Sequence, residues 1–175
     1  GTFEYDREKA VAYANRWAYF RNPEYYDFSD LGGDCTNFVS QSLYAGSGVM
    51  NFTPTFGWYF ISLDDRSPSW TGVEYFYNFM TQNSDVGPFG RDASSDELEL
   101  GDVIQLARDG EGYYHSLLVV GFDGEDLLVA AQTDNAYARP LSSYDYDYAR
   151  FIKILGVRFD IPREPDSCFE KLMQG

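Results

Sequence analysis

The amino-acid sequence predicts an α+β fold in which helices come first and an antiparallel sheet follows. Three observations lead to this prediction. Apolar residues recur at helical spacing through the first 80 residues, strand-like apolar runs occupy the second half, and 44% of the 175 residues are hydrophobic, enough for one core. No repeat or low-complexity linker divides the chain, so we expect a single domain over residues 1–175.

The helical pattern covers three segments. Residues 6–20 carry alanines and aromatic residues at helical spacing, after Asp6 as a candidate N-cap. The glycine pair Gly32-Gly33 allows a tight turn into a second helix over residues 34–45, which Gly46 is expected to end. Residues 73–80 predict a third helix. Residues 51–70 are predicted to be irregular, and residues 82–97 to form a polar loop.

The hydrophobic period changes after residue 100. Residues 103–106, 115–122, 126–132 and 151–158 are predicted to be strands. Asp123-Gly124, between the second and third of these runs, is a typical hairpin turn. The second half therefore predicts an antiparallel sheet.

The composition limits the classes of function. A net charge of −15 disfavours binding to nucleic acid, which needs clustered lysines and arginines, and disfavours docking on anionic membranes. No apolar run approaches the ~20 residues of a spanning helix, so membrane insertion is not expected. One histidine and two cysteines supply at most three Cys/His metal ligands, and we predict neither a metal nor another cofactor.

The segment from Gly32 to Gln41 is the most informative for chemistry. It places Cys35 in the first turn of a helix, directly after the glycine pair. Unpaired N–H groups and the positive end of the helix dipole favour a thiolate there, and the same N–H groups can donate to an oxyanion. Alternatively, Cys35 is a small buried apolar residue, and Asp34 is an N-cap that orders the turn.

His115 is the chain's only histidine, and it opens an otherwise apolar strand. An imidazole at a strand end can face a cleft and act as a general base, although an isolated histidine there is also typical of a surface or core position. His115 lies 80 residues after Cys35, and spacing alone does not show that the two meet.

The segment Asp34-Cys35-Thr36-Asn37-Phe38-Val39-Ser40-Gln41 resembles the signature of the bacterial putative amidase domain family, which looks like a branch of the papain-like and NlpC-type cysteine hydrolases. The resemblance extends in order over residues 5–158. The other matching segments are Tyr5-Asp6-Arg7, Ala10, Tyr13-Ala14, Asn22-Pro23, Ser69-Trp70-Thr71-Gly72, Gly101-Asp102-Val103-Ile104, His115-Ser116, Thr133-Asp134 and Pro140-Leu141. It implies a papain-like, NlpC-type fold with N-terminal helices packed on an antiparallel sheet.

The resemblance also implies roles for individual residues. Cys35 would be the nucleophile and His115 the general base and acid. A third polar group normally orients the imidazole from the next strand, where position favours Gln132 and charge favours Asp134. Gln132 could instead be a solvent-facing strand residue, and Asp134-Asn135 an ordinary turn.

The function expected from the resemblance is hydrolysis of an amide bond through an acyl-enzyme thioester. It suggests a peptide or peptidoglycan-stem substrate and a secreted or cell-surface bacterial protein; the chain begins at Gly1, without Met, as an excised mature portion would. One alternative is a non-catalytic secreted module that holds a peptide or glycan in an aromatic cleft, with Trp58 and Trp70 as candidates. Another is a structural disulfide between Cys35 and Cys168.

Overall fold

The computed structural model describes residues 1–161 and 167–175, and in them five α-helices accompany nine strands. The helices are α1 (Arg7–Trp17), α2 (Cys35–Ser47), α3 (Pro68–Thr71), α4 (Val73–Gln82) and α5 (Ser167–Gln174). The strands are β1 (Thr2–Phe3), β2 (Phe60–Ser62), β3 (Asp65–Arg66), β4 (Gly87–Ala93), β5 (Val103–Arg108), β6 (Gly112–Asp123), β7 (Asp126–Ala131), β8 (Ala136–Pro140) and β9 (Tyr148–Arg158). Two short 3₁₀ helices span Ser95–Glu97 and Leu141–Ser143.

Seven of these strands form one antiparallel sheet in the order β4-β9-β5-β6-β7-β8, and β1 pairs with β9 beyond the end of β5. β2 and β3 form a separate hairpin. Helices α1, α2 and α4 contact β6. This arrangement confirms the α+β class and the antiparallel sheet. In the described part of the chain, no helix has the length and apolar content that crossing a bilayer requires.

Strand alternation places apolar side chains on both faces of the sheet. One face, with Val103, Leu118 and Ile152, packs in the same buried cluster as helical residues such as Phe38 and Phe76. The other face forms a second cluster, whose members are Leu98, Ile104, Leu106, Leu117, Val119, Leu127, Val129, Ala131 and Leu141. The sheet is therefore covered on both sides around β6, the strand that carries the candidate histidine, and its neighbours β5 and β7.

The predicted helices α1, α2 and α4 and the strands β5, β6, β7 and β9 are all present, with shifted ends. The Asp123-Gly124 turn joins β6 to β7, with Gly124 at φ 62°. The predictions for residues 51–70 and 82–97 were wrong, since these segments contain the β2–β3 hairpin, α3 and β4. β4 escapes prediction because it carries two glycines and a proline, residues that are depleted in strands.

Helix α2 ends at Gly48 rather than at Gly46. Gly48 has φ 67°, the left-handed conformation that closes many helices. Gly46 lies inside the helix, and its carbonyl oxygen accepts a hydrogen bond from the Asp6 N–H at 2.9 Å. A Cβ at this position would lie 2.5 Å from Cε1 of Tyr5, so Gly46 serves the close approach of α2 to the start of α1.

Trp58 and Trp70 do not line a cleft. Both side chains are fully buried, and their ring centroids lie 4.7 Å apart. Their Nε1 groups donate to the helix α2 side chains Ser40 and Asn37 at 3.1 and 2.9 Å. The two tryptophans are core residues that pack against α2. The expectation that they line an aromatic cleft was therefore wrong.

Candidate active site

The polar residues in the first turns of α2 are buried, and each of them forms a hydrogen bond with another segment of the chain. The Thr36 hydroxyl is 2.9 Å from the Ser116 hydroxyl on β6. The Asn37 amide nitrogen donates to the Tyr26 carbonyl at 3.0 Å. The other pairs are Asn37 with Trp70, Ser40 with Trp58 and Gln41 with Tyr13. These bonds fix the start of the helix, which carries Cys35, against β6 and the surrounding loops.

Asp34 occupies the N-cap position, but its side chain makes no capping bond to a backbone N–H of the helix. Its Oδ1 instead accepts hydrogen bonds from the Phe28 N–H at 3.0 Å and from the Asn37 amide at 2.8 Å. Burial raises the pKa of this carboxyl, and the Asn37 and Phe28 hydrogen bonds and Arg21 oppose that rise. Asp34 therefore orders the turn that precedes Cys35, as expected, but not through the predicted cap.

The Cys35 thiol lies against the β6 main chain on either side of His115. Its Sγ is 3.9 Å from the Tyr114 carbonyl oxygen and 3.8 Å from the Thr36 hydroxyl. The backbone N–H of Ser116 also interacts with the sulfur and lowers the pKa of the thiol. The thiol fits there because the pairing of β6 with β7 ends at Leu118, which leaves this edge of β6 without a partner strand. Cys35, the candidate nucleophile, therefore lies at the edge of the strand that contains His115.

The electrostatics of Cys35 differ from the expectation. Burial raises the pKa of the thiol, while the Ser116 N–H and the hydroxyl and N–H of Thr36 lower it by less. The thiol is therefore protonated at neutral pH, and the predicted helix-stabilised thiolate is not the resting state.

His115 lies beside a β-bulge. In the pairing of β5 with β6, Leu106 faces His115 and Ala107 faces Tyr113, so Tyr114 is an extra residue in β6. The His115 ring is parallel to the Tyr114 ring, with centroids 6.1 Å apart, and equally distant from the Tyr144 ring. Bulges of this kind redirect side chains, and this one places two consecutive rings next to each other.

Burial lowers the pKa of His115 to about 4, and two nearby charges modulate it in opposite directions. Asp134 raises this pKa and Arg139 lowers it. Within residues 1–161 and 167–175 the imidazole forms no hydrogen bond. His115 is therefore neutral at pH 7, the protonation state that a general base requires.

The two candidates for the orienting group are placed differently. Gln132 is buried at the end of the hairpin, and its amide nitrogen donates to the carbonyl oxygens of Trp17 at 2.6 Å and Phe20 at 2.9 Å. These bonds satisfy carbonyls at the C-terminal end of α1, so the structure gives Gln132 a role that differs from the predicted contact with His115. Asp134 is exposed in the β7–β8 turn and acts on the imidazole through its charge.

The β7–β8 turn is attached directly to the start of α2. The hydroxyl of Thr133 accepts a hydrogen bond from the Asp34 N–H at 3.1 Å. Thr133 precedes Asp134, and Asp34 precedes Cys35, so one bond joins the segments that carry the acid and the thiol. Sγ of Cys35 thus lies beside the β6 main chain on either side of His115, and the charge of Asp134 acts on the imidazole. The amide nitrogen of Gln132 is bound instead to carbonyls near the end of α1.

Comparison with known proteins identifies the family of the chain. The model of a family described as "Putative amidase domain" matches residues 4–155. The chain belongs to this family. This amidase-family chain is also 40% identical over 148 residues to "Uncharacterized protein YhbB" of Bacillus subtilis (strain 168). The match covers 82% of this chain and 46% of that protein. The chain thus spans about half the length of this relative.

No solved structure matches the chain, so the papain-like, NlpC-type assignment stays a prediction. Family membership points to hydrolysis of amides as the general class of activity. The positions of Cys35, His115 and Asp134 all fall within the matched residues.

Three residues around the candidate site were not predicted. Arg139 and Tyr144 flank the imidazole, and the Arg139 guanidinium lies 3.7 Å from the centre of the Tyr144 ring. Arg21 forms an ion pair with Asp34. Arg21 and Tyr144 lie outside the helices and strands, Arg139 lies in the short strand β8, and none belongs to a spacing pattern, so the sequence carried no signal for their roles.

The described residues of the amidase domain contain no cluster of three or more His, Cys, Asp or Glu side chains that could hold a metal ion. Cys35 and Cys168 are both unpaired, which contradicts the alternative of a structural disulfide. Cys168 lies on α5 and lines a groove with Tyr25 and Tyr44, packed against the helical core. The chain offers a second thiol outside the site, and hence a natural control.

Proposed function

We propose that this protein is a cysteine-dependent amide hydrolase in which Cys35 is the nucleophile and His115 the general base and acid. One observation carries the proposal: the Cys35 thiol lies on the unpaired edge of β6 at His115, where the turn with Asp134 is bonded to the residue before the thiol. Membership of an amidase family supports an amide substrate.

The neutral resting state supports proton transfer during the attack rather than a preformed ion pair. His115 takes the proton of Cys35 as Sγ forms a bond to the carbonyl carbon, and the carbonyl π electrons move to the oxygen. The first helical bond of α2 runs from the Phe38 N–H to the Asp34 carbonyl, so the N–H groups of residues 35–37 precede the helical ladder. The Cys35 N–H is the proposed donor to the oxyanion.

The imidazolium then gives its proton to the leaving nitrogen, the C–N bond breaks, and a thioester with Cys35 remains. Water attacks the thioester while His115 takes a proton, and the thiol leaves with that proton as the acid product forms. Asp134 stabilises the imidazolium of both steps, since its charge raises the pKa of His115, and Arg139 opposes it.

The finer assignments rest on the resemblance to NlpC-type cysteine hydrolases. They are a papain-like fold, a peptide or peptidoglycan-stem substrate and a secreted or cell-surface location. The helix-borne cysteine packed against a histidine-bearing antiparallel strand is consistent with this resemblance.

The experiment is cleavage of purified peptidoglycan stem peptides and of unrelated peptides, followed by chromatography and mass spectrometry. We expect Cys35→Ala and His115→Asn to abolish cleavage and Cys168→Ser, the matched control, to keep it. Rapid acid quenching of the wild-type protein should show the mass of an acyl group on the peptide that contains Cys35. Activity that survives Cys35→Ala would contradict the proposal.

A second candidate function is the non-catalytic binding module. It is favoured by the two pKa directions, since a raised thiol pKa and a lowered imidazole pKa make both groups less reactive. In that case Cys35→Ala retains the ligand as the wild type does, and no cleavage occurs with either protein.

A further inference from the structure

We propose that Arg21 is a positioning residue that sets Asp134 relative to Cys35, by joining the β7–β8 turn to the start of α2. This inference rests on the proposed function. Arg21 lies between α1 and the loop that leads to α2, and it makes contacts with both segments that carry the proposed chemistry. Nothing else in the proposed mechanism uses its guanidinium group.

The first arm of Arg21 reaches the residue before the nucleophile. Its Nε lies 3.4 Å from Oδ2 of Asp34, whose side chain is 1% exposed. Both atoms are buried and have no hydrogen-bond partner among the described residues, so the ion pair with Arg21 is what compensates the charge on Oδ2 of Asp34. The same Nε also lies 3.3 Å from Oδ1 of the more exposed Asp27. A buried carboxylate without a nearby cation is strongly unfavourable, so Arg21 stabilises the ionised form of Asp34 and opposes the rise in its pKa that burial causes.

The second arm reaches the residue after the proposed acid. Nη2 of Arg21 donates a hydrogen bond to Oδ1 of Asn135 at 3.0 Å. On the other side of Asp134, the Thr133 hydroxyl accepts from the Asp34 N–H at 3.1 Å. Asp134 has φ 58°, the left-handed conformation, and is held by a bond on each side. Both bonds end at Asp34, one directly and one through Arg21.

The fork of the guanidinium suits this task better than an ammonium would. Nε faces Asp34, the residue before α2, and Nη2 faces Asn135 of the turn. Nε also lies 3.3 Å from Oδ1 of Asp27, and Nη2 donates to the Ser29 hydroxyl at 3.3 Å. A lysine would keep the charge but has a single nitrogen, which cannot serve both arms in one geometry. Arg21 thus couples two segments that are more than 100 residues apart in sequence.

The test follows the signal of the chain's single histidine, which makes the assignment unambiguous. Protein labelled with ¹³C at histidine Cε1 is titrated by NMR. Asp134→Asn removes a charge that raises the His115 pKa, so the midpoint should fall by about half a unit to one unit. If Arg21 holds Asp134 in place, Arg21→Gln and Asn135→Ala lower the midpoint as well, and Arg21→Gln adds little to Asp134→Asn.

The sign of the shift separates positioning from charge alone. Removing the positive charge of Arg21 without moving Asp134 leaves the midpoint unchanged or raises it, and that result would overturn the proposal. Arg16→Gln, on the exposed side of α1, is the matched control and should leave it unchanged. Asn135→Ala removes one arm without touching Asp34, so it still tests the proposal if Arg21→Gln does not fold.

Activity provides the second readout. We expect Arg21→Lys and Arg21→Gln to reduce kcat at least tenfold with little change in KM, because a displaced Asp134 affects the transition state rather than binding. If the wild-type protein cleaves no amide, the proposed function fails. The histidine titration still decides whether Arg21 positions Asp134, so the two failures are distinguishable.

Discussion

The depressed pKa of His115 makes the stability of the protein depend on pH in a defined direction. The ordinary pKa of the imidazole is 6.5 and its value in the folded chain is about 4. Well above pH 6.5 the imidazole is neutral in both the folded and the unfolded state. As the pH falls below 6.5, the unfolded chain takes up a proton that the folded chain does not, and the folded state loses stability until the pH reaches about 4.

The expected magnitude follows from the two values. At pH 5.0 roughly 97% of the unfolded imidazole and roughly 9% of the folded one are protonated, which lowers the free energy of unfolding by about 2 kcal/mol relative to pH 7.5. Urea unfolding at both pH values, in wild type and His115→Asn, isolates this contribution. Asp34 and Asp102, whose pKa values burial raises, are present in both proteins and cancel in the comparison.

We therefore expect the wild type to lose about 2 kcal/mol more than His115→Asn between pH 7.5 and pH 5.0. Equal losses in the two proteins would refute the reasoning, because they would mean that the His115 ring is hydrated in the folded state. This experiment needs no substrate.

Three further predictions concern four single substitutions. Because the charge of Asp134 raises the His115 pKa, Asp134→Asn should shift the acid limb of kcat/KM to lower pH. Because the charge of Arg139 lowers the same pKa, Arg139→Gln should shift the limb to higher pH. Shifts of the same sign in the two variants would contradict the assignment. Gln132→Leu should reduce the free energy of unfolding by about 1–3 kcal/mol because the hydrogen bonds to the end of α1 are lost, with kcat/KM within about twofold of wild type. A large loss of kcat at unchanged stability would instead indicate that Gln132 orients the His115 imidazole. Gly46→Ala should cost about 1–3 kcal/mol, measured as a lower Tm, since its Cβ would overlap Tyr5 and the Asp6 carbonyl; an unchanged Tm would show that α1 can move away.

The parts of the site that sequence reasoning predicted are those with local signals. Gly32 and Gly33 have φ 85° and 100°, so a tight turn into a helix with Cys35 at its start follows from the glycine pair. The Asp123-Gly124 hairpin places the end of β7 near the start of β6. The hairpin therefore brings Asp134 near enough for its charge to act on the His115 imidazole.

The parts that were not predicted depend on long-range packing. The rise in the Cys35 pKa comes from burial against β6, and nothing within the helix sequence reports that burial. Gln132 satisfies the α1 carbonyls because the end of α1 lies next to β7, which spacing does not reveal. Arg21 and Asn135 are 114 residues apart, so their bond is known only once the chain has folded.

The buried polar residues at the start of α2 have a consequence for when the thiol becomes competent. Thr36, Asn37 and Ser40 each depend on a partner from a different part of the chain: β6, the loop at residue 26, and the tryptophans at positions 58 and 70. The helix cannot slide or tilt without losing several of these bonds at once. Nascent, truncated or partly unfolded chains therefore carry an ordinary cysteine, and chemistry begins only when assembly is complete.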